Sequence, residues 1–196
     1  MSPSSPSLIN VDDSVLIVID VQEAFLKKLP KKDSASLVER ICWLIRVATH
    51  LSVPIVVTAE DMATLGDTVP QVSGSLPPQT EIFNKMIFGL AAQEDIMTAI
   101  EMTGCSTAVL VGLETDVCVA QSALGLMDKG YKVVVVQDAT GSPESGHEFG
   151  ITRMRGAGVV MSSVKGLFYE WLPTVEGNNV FLQKHGNKLG NPGVKL

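Results

Sequence analysis

The feature that most constrains this chain is a set of unbroken apolar runs dominated by β-branched residues. Val15-Leu16-Ile17-Val18-Ile19 stops at Asp20, and Pro54-Ile55-Val56-Val57-Thr58, Thr107-Ala108-Val109-Leu110-Val111-Gly112 and Lys132-Val133-Val134-Val135-Val136 follow it. A strand with one wet face alternates polar and apolar residues, so runs without alternation mark strands covered on both faces. Gly158-Val159-Val160-Met161 is a weaker candidate, and Glu81-Ile82-Phe83-Asn84 is weaker still and suits an edge strand.

Between the runs the period changes. Leu37, Ile41, Leu44 and Val47 give residues 34–50 a helical stripe, and residues 92–103 and 115–129 read the same way. Residues 144–155 form a more polar helix and 164–171 a short one. Strand alternating with helix is the pattern of a parallel sheet with helices on both faces, a three-layer, doubly wound α/β sandwich. The 196 residues fit one such domain, over 14–172. The Ser- and Pro-rich residues 1–13 read as a flexible lead-in. Residues 60–80 read as a long loop with a functional or lid role. Residues 173–196 show no clear period and read either as a loosely packed tail or as an arm that docks on another subunit.

Composition narrows the partners. A net charge of −6 argues against nucleic acid, because a phosphate-binding surface needs a basic excess. No stretch approaches the roughly 18 apolar residues of a membrane span, and the start has no basic residue or long apolar run of a signal peptide. The cysteines, Cys42, Cys105 and Cys118, are odd in number and unclustered, which suits a reducing compartment. The expectation is a cytoplasmic protein, with the mitochondrion left open, acting on a small molecule.

In an open parallel sheet, ligands bind beyond the carboxyl ends of the strands. Asp20 closes the first strand, Glu60 and Lys85 follow later ones, and Cys118 lies just past the 107–112 strand. With Thr115 as N-cap, Cys118 would sit in the first turn of a helix, where the dipole, free N–H groups and a nearby Lys85 favour thiolate. Taken singly, each residue has a plainer explanation. A free cysteine is usually a small buried apolar residue, an aspartate at a strand end caps or solvates it, and a lysine is a surface charge. Cys42 and Cys105 read as structural.

The ordered motifs change that balance. Leu16-Ile17-Val18-Ile19-Asp20-Val21-Gln22-Glu23-Ala24-Phe25, Asn84-Lys85 before Phe88-Gly89, Val111-Gly112-Leu113-Glu114-Thr115-Asp116-Val117-Cys118-Val119, Val136-Gln137-Asp138-Ala139 and the segment Arg153-Met154 through Gly158 together resemble the isochorismatase-like hydrolases, which include nicotinamidases and related cysteine amidases. The resemblance implies a six-stranded, mainly parallel sheet and a catalytic triad of Asp20, Lys85 and Cys118. It also implies a cis peptide before Glu114, with the N–H groups of Glu114 and Cys118 forming an oxyanion hole. Phe25, Glu60, Met86 and Phe88 are the expected pocket residues. Family members commonly self-associate, so a homo-oligomer is expected.

The departures matter too. Nicotinamidases carry an acid and two histidines for a metal after the second strand. Here Thr58-Ala59-Glu60-Asp61-Met62 has none, and His50, His147 and His185 lie elsewhere. No metal and no cofactor are therefore expected. Classical isochorismatases lack the nucleophilic cysteine, which argues against vinyl-ether cleavage. The expected activity is hydrolysis of a small amide or related C–N bond through an acyl-enzyme on Cys118, with Asp20 as general base. The alternative is a non-catalytic binding or scaffold protein that keeps the fold. A dinucleotide-binding dehydrogenase is disfavoured, since no G-x-G-x-x-G follows the first strand.

Overall fold

The computed structural model describes residues 7–196. Its strands are β1 (Ser14–Ile19), β2 (Ile55–Glu60), β3 (Ile82–Lys85), β4 (Thr107–Leu113), β5 (Lys132–Gly141) and β6 (Val160–Ser162). They form one six-stranded sheet in the order β3-β2-β1-β4-β5-β6, and every pairing is parallel. The helices are α1 (Glu23–Leu26), α2 (Lys31–His50), α3 (Met62–Leu65), α4 (Pro70–Ser73), α5 (Glu94–Glu101), α6 (Ala120–Asp128), α7 (Gly146–Gly156), α8 (Val164–Trp171) and α9 (Val175–Leu189).

All residues of β1 are buried, which explains its lack of alternation. Leu16 and Val18 join one core with Ile41 and Ile45 of α2, Phe168 of α8 and Phe181 of α9. Val15, Ile17 and Ile19 join the other, with Ile96 of α5, Leu126 of α6 and Met154 of α7. The pleat therefore feeds two apolar layers from one strand. Trp43 and Phe168 meet edge-to-face, 5.1 Å between centroids, and lock α2 to α8.

The chain reverses its order at β1, which has β2 on one side and β4 on the other. Gly112 makes this closeness possible. Its φ is +123°, and a Cβ there would lie 1.9 Å from the Ile19 carbonyl oxygen. Only glycine fits.

The structure differs from expectation in three places. The segment 60–80 is not one irregular loop but holds α3 and α4, one turn each. Residues 175–189 form a helix docked on α2, and only Asn178, Phe181 and Leu189 of it are buried. Its Gly- and Asn-rich exposed face hides the period, while the Thr174 hydroxyl caps its start by accepting from the Gly177 N–H at 3.1 Å. Of the expected lead-in, residues 1–6 lie outside the described residues. The rest is docked: Ile9 is buried and donates its N–H to Glu170 Oε2 at 2.7 Å. Among the described residues, no helix is long and apolar enough to cross a membrane.

Candidate active site

The site is assembled from three strand ends and one turn. Asp20 follows β1 in the left-handed region, with φ of +49°. Its N–H donates to the Thr58 carbonyl at 3.0 Å, and Thr58 Oγ1 donates to Asp20 Oδ1 at 2.8 Å. The second oxygen, Oδ2, meets Lys85 Nζ at 3.0 Å, and neither side chain is exposed. Lys85 ends β3 directly beside Glu60, its register partner at the end of β2. The ammonium also donates to the Ile87 carbonyl at 3.1 Å and lies 3.4 Å from Glu60 Oε2.

Cys118 reaches this cluster from the β4–α6 connection. Its Sγ is 3.7 Å from Lys85 Nζ and 3.1 Å from Glu60 Oε2, to which the thiol donates. The connection is a π-helical turn over Thr115–Val119 ahead of α6, and the Leu113–Glu114 peptide is cis. Wide turns of this kind recur at functional sites because they re-aim one side chain. Thr115 is not the N-cap that the sequence suggests. Glu114 holds that position, and the Thr115 hydroxyl instead meets His147 Nδ1 at 3.0 Å. Gly150 of α7 packs under the turn so tightly that a Cβ would lie 2.7 Å from the Thr115 carbonyl. Beyond it, Glu114 pairs with Lys28 at 3.0 Å, and that ammonium stands 4.8 Å over the Phe25 ring.

The electrostatics depart from the sequence reading. Burial pushes the Cys118 thiol well above its ordinary range, and the Asp20 carboxylate pushes it further, with Lys85 pulling the other way. The resting group is therefore a thiol, not the thiolate suggested by a helix N-terminus beside a lysine. Burial lifts the Asp20 carboxyl above its usual value against the pull of Lys85. Burial acts to lower Lys85, but Asp20, Cys118 and Glu60 outweigh it and raise the ammonium's pKa. Lys85 stays charged and Cys118 stays protonated until a base takes its proton.

The sequence-derived site residues fall into two groups. Asp20, Lys85, Cys118 and Glu60 converge. Phe25 lies in the core under the Lys28 ammonium, while Met86 and Phe88 are exposed on the segment after β3. Sequence reasoning missed Gln22, which is fully buried. Its Nε2 donates to the carbonyls of Glu60 (2.8 Å) and Gly66 (2.6 Å), and its Oε1 accepts from the Glu60 N–H (2.7 Å). The signal was its place two residues after Asp20, inside the opening motif. Thr58 was also missed, as the polar end of an apolar run.

Asp20, Glu60 and Cys118 place their potential ligand atoms within 4.8 Å of one another. The ammonium of Lys85 already faces all three, at 3.0, 3.4 and 3.7 Å. A metal ion in that triangle would face a buried like charge, so the donor set does not fit one.

Residues 14–165 match the family model described as the isochorismatase domain. The chain belongs to the isochorismatase family. Among curated members, the secreted isochorismatase effector Isc1 of Phytophthora sojae is 35% identical over 175 residues, 86% of this chain and 80% of Isc1. Among solved structures, the MAR1 ribonuclease of Caenorhabditis elegans superposes with a TM-score of 0.84 at 28% identity, over 96% of this chain and 95% of that one. The Escherichia coli YcaC gene product, described as an octameric hydrolase of unknown specificity, superposes with a TM-score of 0.78 over 96% of this chain and 95% of its own; at 22% identity it shows the shared fold. Membership of the isochorismatase family supports a hydrolase.

Proposed function

We propose that the protein hydrolyses a small amide or related C–N bond through an acyl-enzyme on Cys118. The observation that carries this reading is the setting of Sγ. It stands at the carboxyl ends of β1 and β4, where the strand order reverses, within 3.7 Å of a buried ammonium and 3.1 Å of a carboxylate. A buried thiol surrounded by fixed charges is costly as packing and useful as chemistry. Asp20 and Lys85 supply a fixed ion pair beside the nucleophile. A carboxylate next to Sγ takes the proton as sulfur attacks the carbonyl. The N–H groups of Glu114 and Cys118 hold the oxygen that becomes negative.

A ribonuclease reading is raised by the name of the Caenorhabditis elegans protein. It sits poorly with a net charge of −6 and with carboxylates flanking the nucleophile, both of which repel phosphate. The test is a screen of small amides, with an RNA arm, on wild type and Cys118→Ala. Amine or ammonia release by wild type and none by the variant is the expected result. RNA cleavage that survives Cys118→Ala overturns it.

The homo-oligomer belongs to the same proposal. Met86, Ile87 and Phe88 run consecutively exposed beside the site, and Phe149 of α7 is exposed too. Apolar surface of this kind favours self-association. Light scattering at micromolar concentration should give a multiple of 20.9 kDa; the monomer mass overturns this part.

A further inference from the structure

We propose that Gln93 is a positioning residue: its side-chain amide grips the end of β3 and holds the Lys85 ammonium at its distance from Cys118 Sγ. For its effect on turnover the inference rests on the acyl-enzyme reading, but its decisive readout is the thiol itself and needs no substrate.

β3 is an edge strand of four residues, and Lys85 is its last. Successive residues of a parallel strand turn their backbone groups to opposite sides. The Lys85 carbonyl faces inward and accepts from the Asp61 N–H at 3.1 Å. The groups before and after it face outward, where no strand of the described residues pairs with β3. Gln93 takes the place of a ladder there. Its Nε2 donates to the Asn84 carbonyl and its Oε1 accepts from the Met86 N–H, each at 2.9 Å. One planar amide thus spans the residue that carries the ammonium, and it satisfies a donor and an acceptor that the edge leaves open.

The amide is itself anchored to the helix that follows Cys118. Leu90 donates its N–H to Ser122 Oγ of α6 at 3.1 Å. Ala91 packs so closely on Gly125 of α6 that a Cβ at Gly125 would lie 2.9 Å from the Ala91 Cβ. α6 begins two residues after Cys118. The route from Cys118 through α6 and residues 90–93 to Lys85 is therefore short and in contact at each joint. The same connection carries the Ile87 carbonyl, which accepts from Nζ at 3.1 Å.

The ion pairs alone do not fix the distance that matters. Nζ stands 3.0 Å from Asp20, 3.4 Å from Glu60 and 3.7 Å from Sγ. A flexible four-carbon stem freed at its root follows the carboxylates, which attract it charge to charge, and leaves the neutral sulfur. Lys85 pulls the thiol's ionisation down, against burial, Asp20 and Glu60. Holding the root of the lysine thus holds the acidity of the sulfur.

The test is Gln93→Met, which keeps the length of the side chain and removes both bonds. Ultraviolet thiolate absorbance, with each protein's Cys118→Ala counterpart subtracted, follows the ionisation of Cys118 against pH. Its onset should move up by about 0.5–1 pH unit, or about 3–10-fold less thiolate at any pH below it. Acylation of Cys118 by 4-nitrophenyl acetate should slow by the same factor, and turnover of the best amide from the screen by at least as much. Gln93→Asn, one methylene too short to span both groups, should move the onset in the same direction. Phe181→Ala removes a ring from the other apolar layer, so it should lower the melting temperature and leave the onset in place. An onset unchanged in both Gln93 variants overturns the assignment, since Lys85 is then held by its ion pairs alone. An equal shift in Phe181→Ala overturns it too, by tracing the effect to stability. A wild type that cleaves no amide overturns the acyl-enzyme reading, and the thiol's ionisation still decides the role of Gln93.

Discussion

Lys85 Nζ and Asp20 Oδ2 are 3.0 Å apart, and both side chains are wholly withdrawn from solvent. An ion pair in that position stabilises little by itself, because taking each charge out of water costs about as much as their attraction returns. Its members nevertheless depend on each other, and this governs the first prediction.

Lys85→Ala should destabilise the protein by about 3–5 kcal/mol, since it leaves Asp20 buried without a counter-charge. Asp20→Asn should cost less, because Lys85 keeps Glu60 at 3.4 Å. The double variant Asp20→Asn with Lys85→Met should recover most of the loss. All three should be inactive. Urea unfolding beside an amide assay checks both halves; equal stability of Lys85→Ala and wild type would contradict the burial argument.

The thiol makes a pH prediction. Alkylation requires thiolate, and burial together with Asp20 places the Cys118 thiol's ionisation above its ordinary value. The folded protein therefore holds the proton where a free thiol has lost it. Labelling of Cys118 by iodoacetamide should be slow at pH 7 and still rising above pH 9. Asp20→Asn removes a negative charge and should move the profile to lower pH. Cys42, also raised by burial, should label slowly throughout. Peptide mass spectrometry across pH separates the sites, and a Cys118 plateau below pH 8 would count against this picture.

Two glycines should differ in what they break. Gly112→Ala forces a Cβ to within 1.9 Å of the Ile19 carbonyl, at a φ of +123°, and should prevent stable folding. Gly150→Ala meets the Thr115 carbonyl at 2.7 Å, outside the sheet. It should fold with a lower melting temperature and lose activity by displacing the turn that carries Cys118. Circular dichroism melts with ester acylation rates read the two effects apart.

Phe181→Ala tests whether the last helix belongs to the domain. The ring is buried, 6.0 Å from Phe168 and 5.1 Å from His185. Loss of a buried aromatic ring costs about 3–5 kcal/mol. A loss below about 1 kcal/mol in denaturant unfolding would show α9 to be an appendage.

Legibility followed burial on both faces. The runs at 15–19, 107–112 and 132–136 read as central strands, their ends put Asp20 and Cys118 on one side of the sheet, and the ordered motifs around them singled them out. The extension of β5 to Gly141 was not legible, because polar Gln137 and Asp138 fall within a register shift and pairing with β4 resumes only at Thr140, opposite Gly112. Helix α9 was hidden because so little of it is buried. Glu60 looked like one pocket residue among several, because its partnership with Sγ depends on β2 and the turn after β4 meeting at the same end of the sheet, a relation no local pattern records. The thiol's protonation was misjudged for a similar reason. The sequence offers Lys85 as a neighbour but not the depth of burial or the two carboxylates.

The four charged and reactive groups occur along the chain in the order Asp20, Glu60, Lys85 and Cys118, and the strands carrying the first three already form one continuous half-sheet. During synthesis, which proceeds from the amino terminus, the acceptors and the ammonium are made before the sulfur. The Cys118 thiol is thus the last piece to arrive, and it docks through β4 onto an edge of β1 that is waiting for it. A ribosome-bound chain stopped short of residue 118 has the charges without the thiol, and one long enough for Cys118 to have left the ribosome can bury the thiol against them.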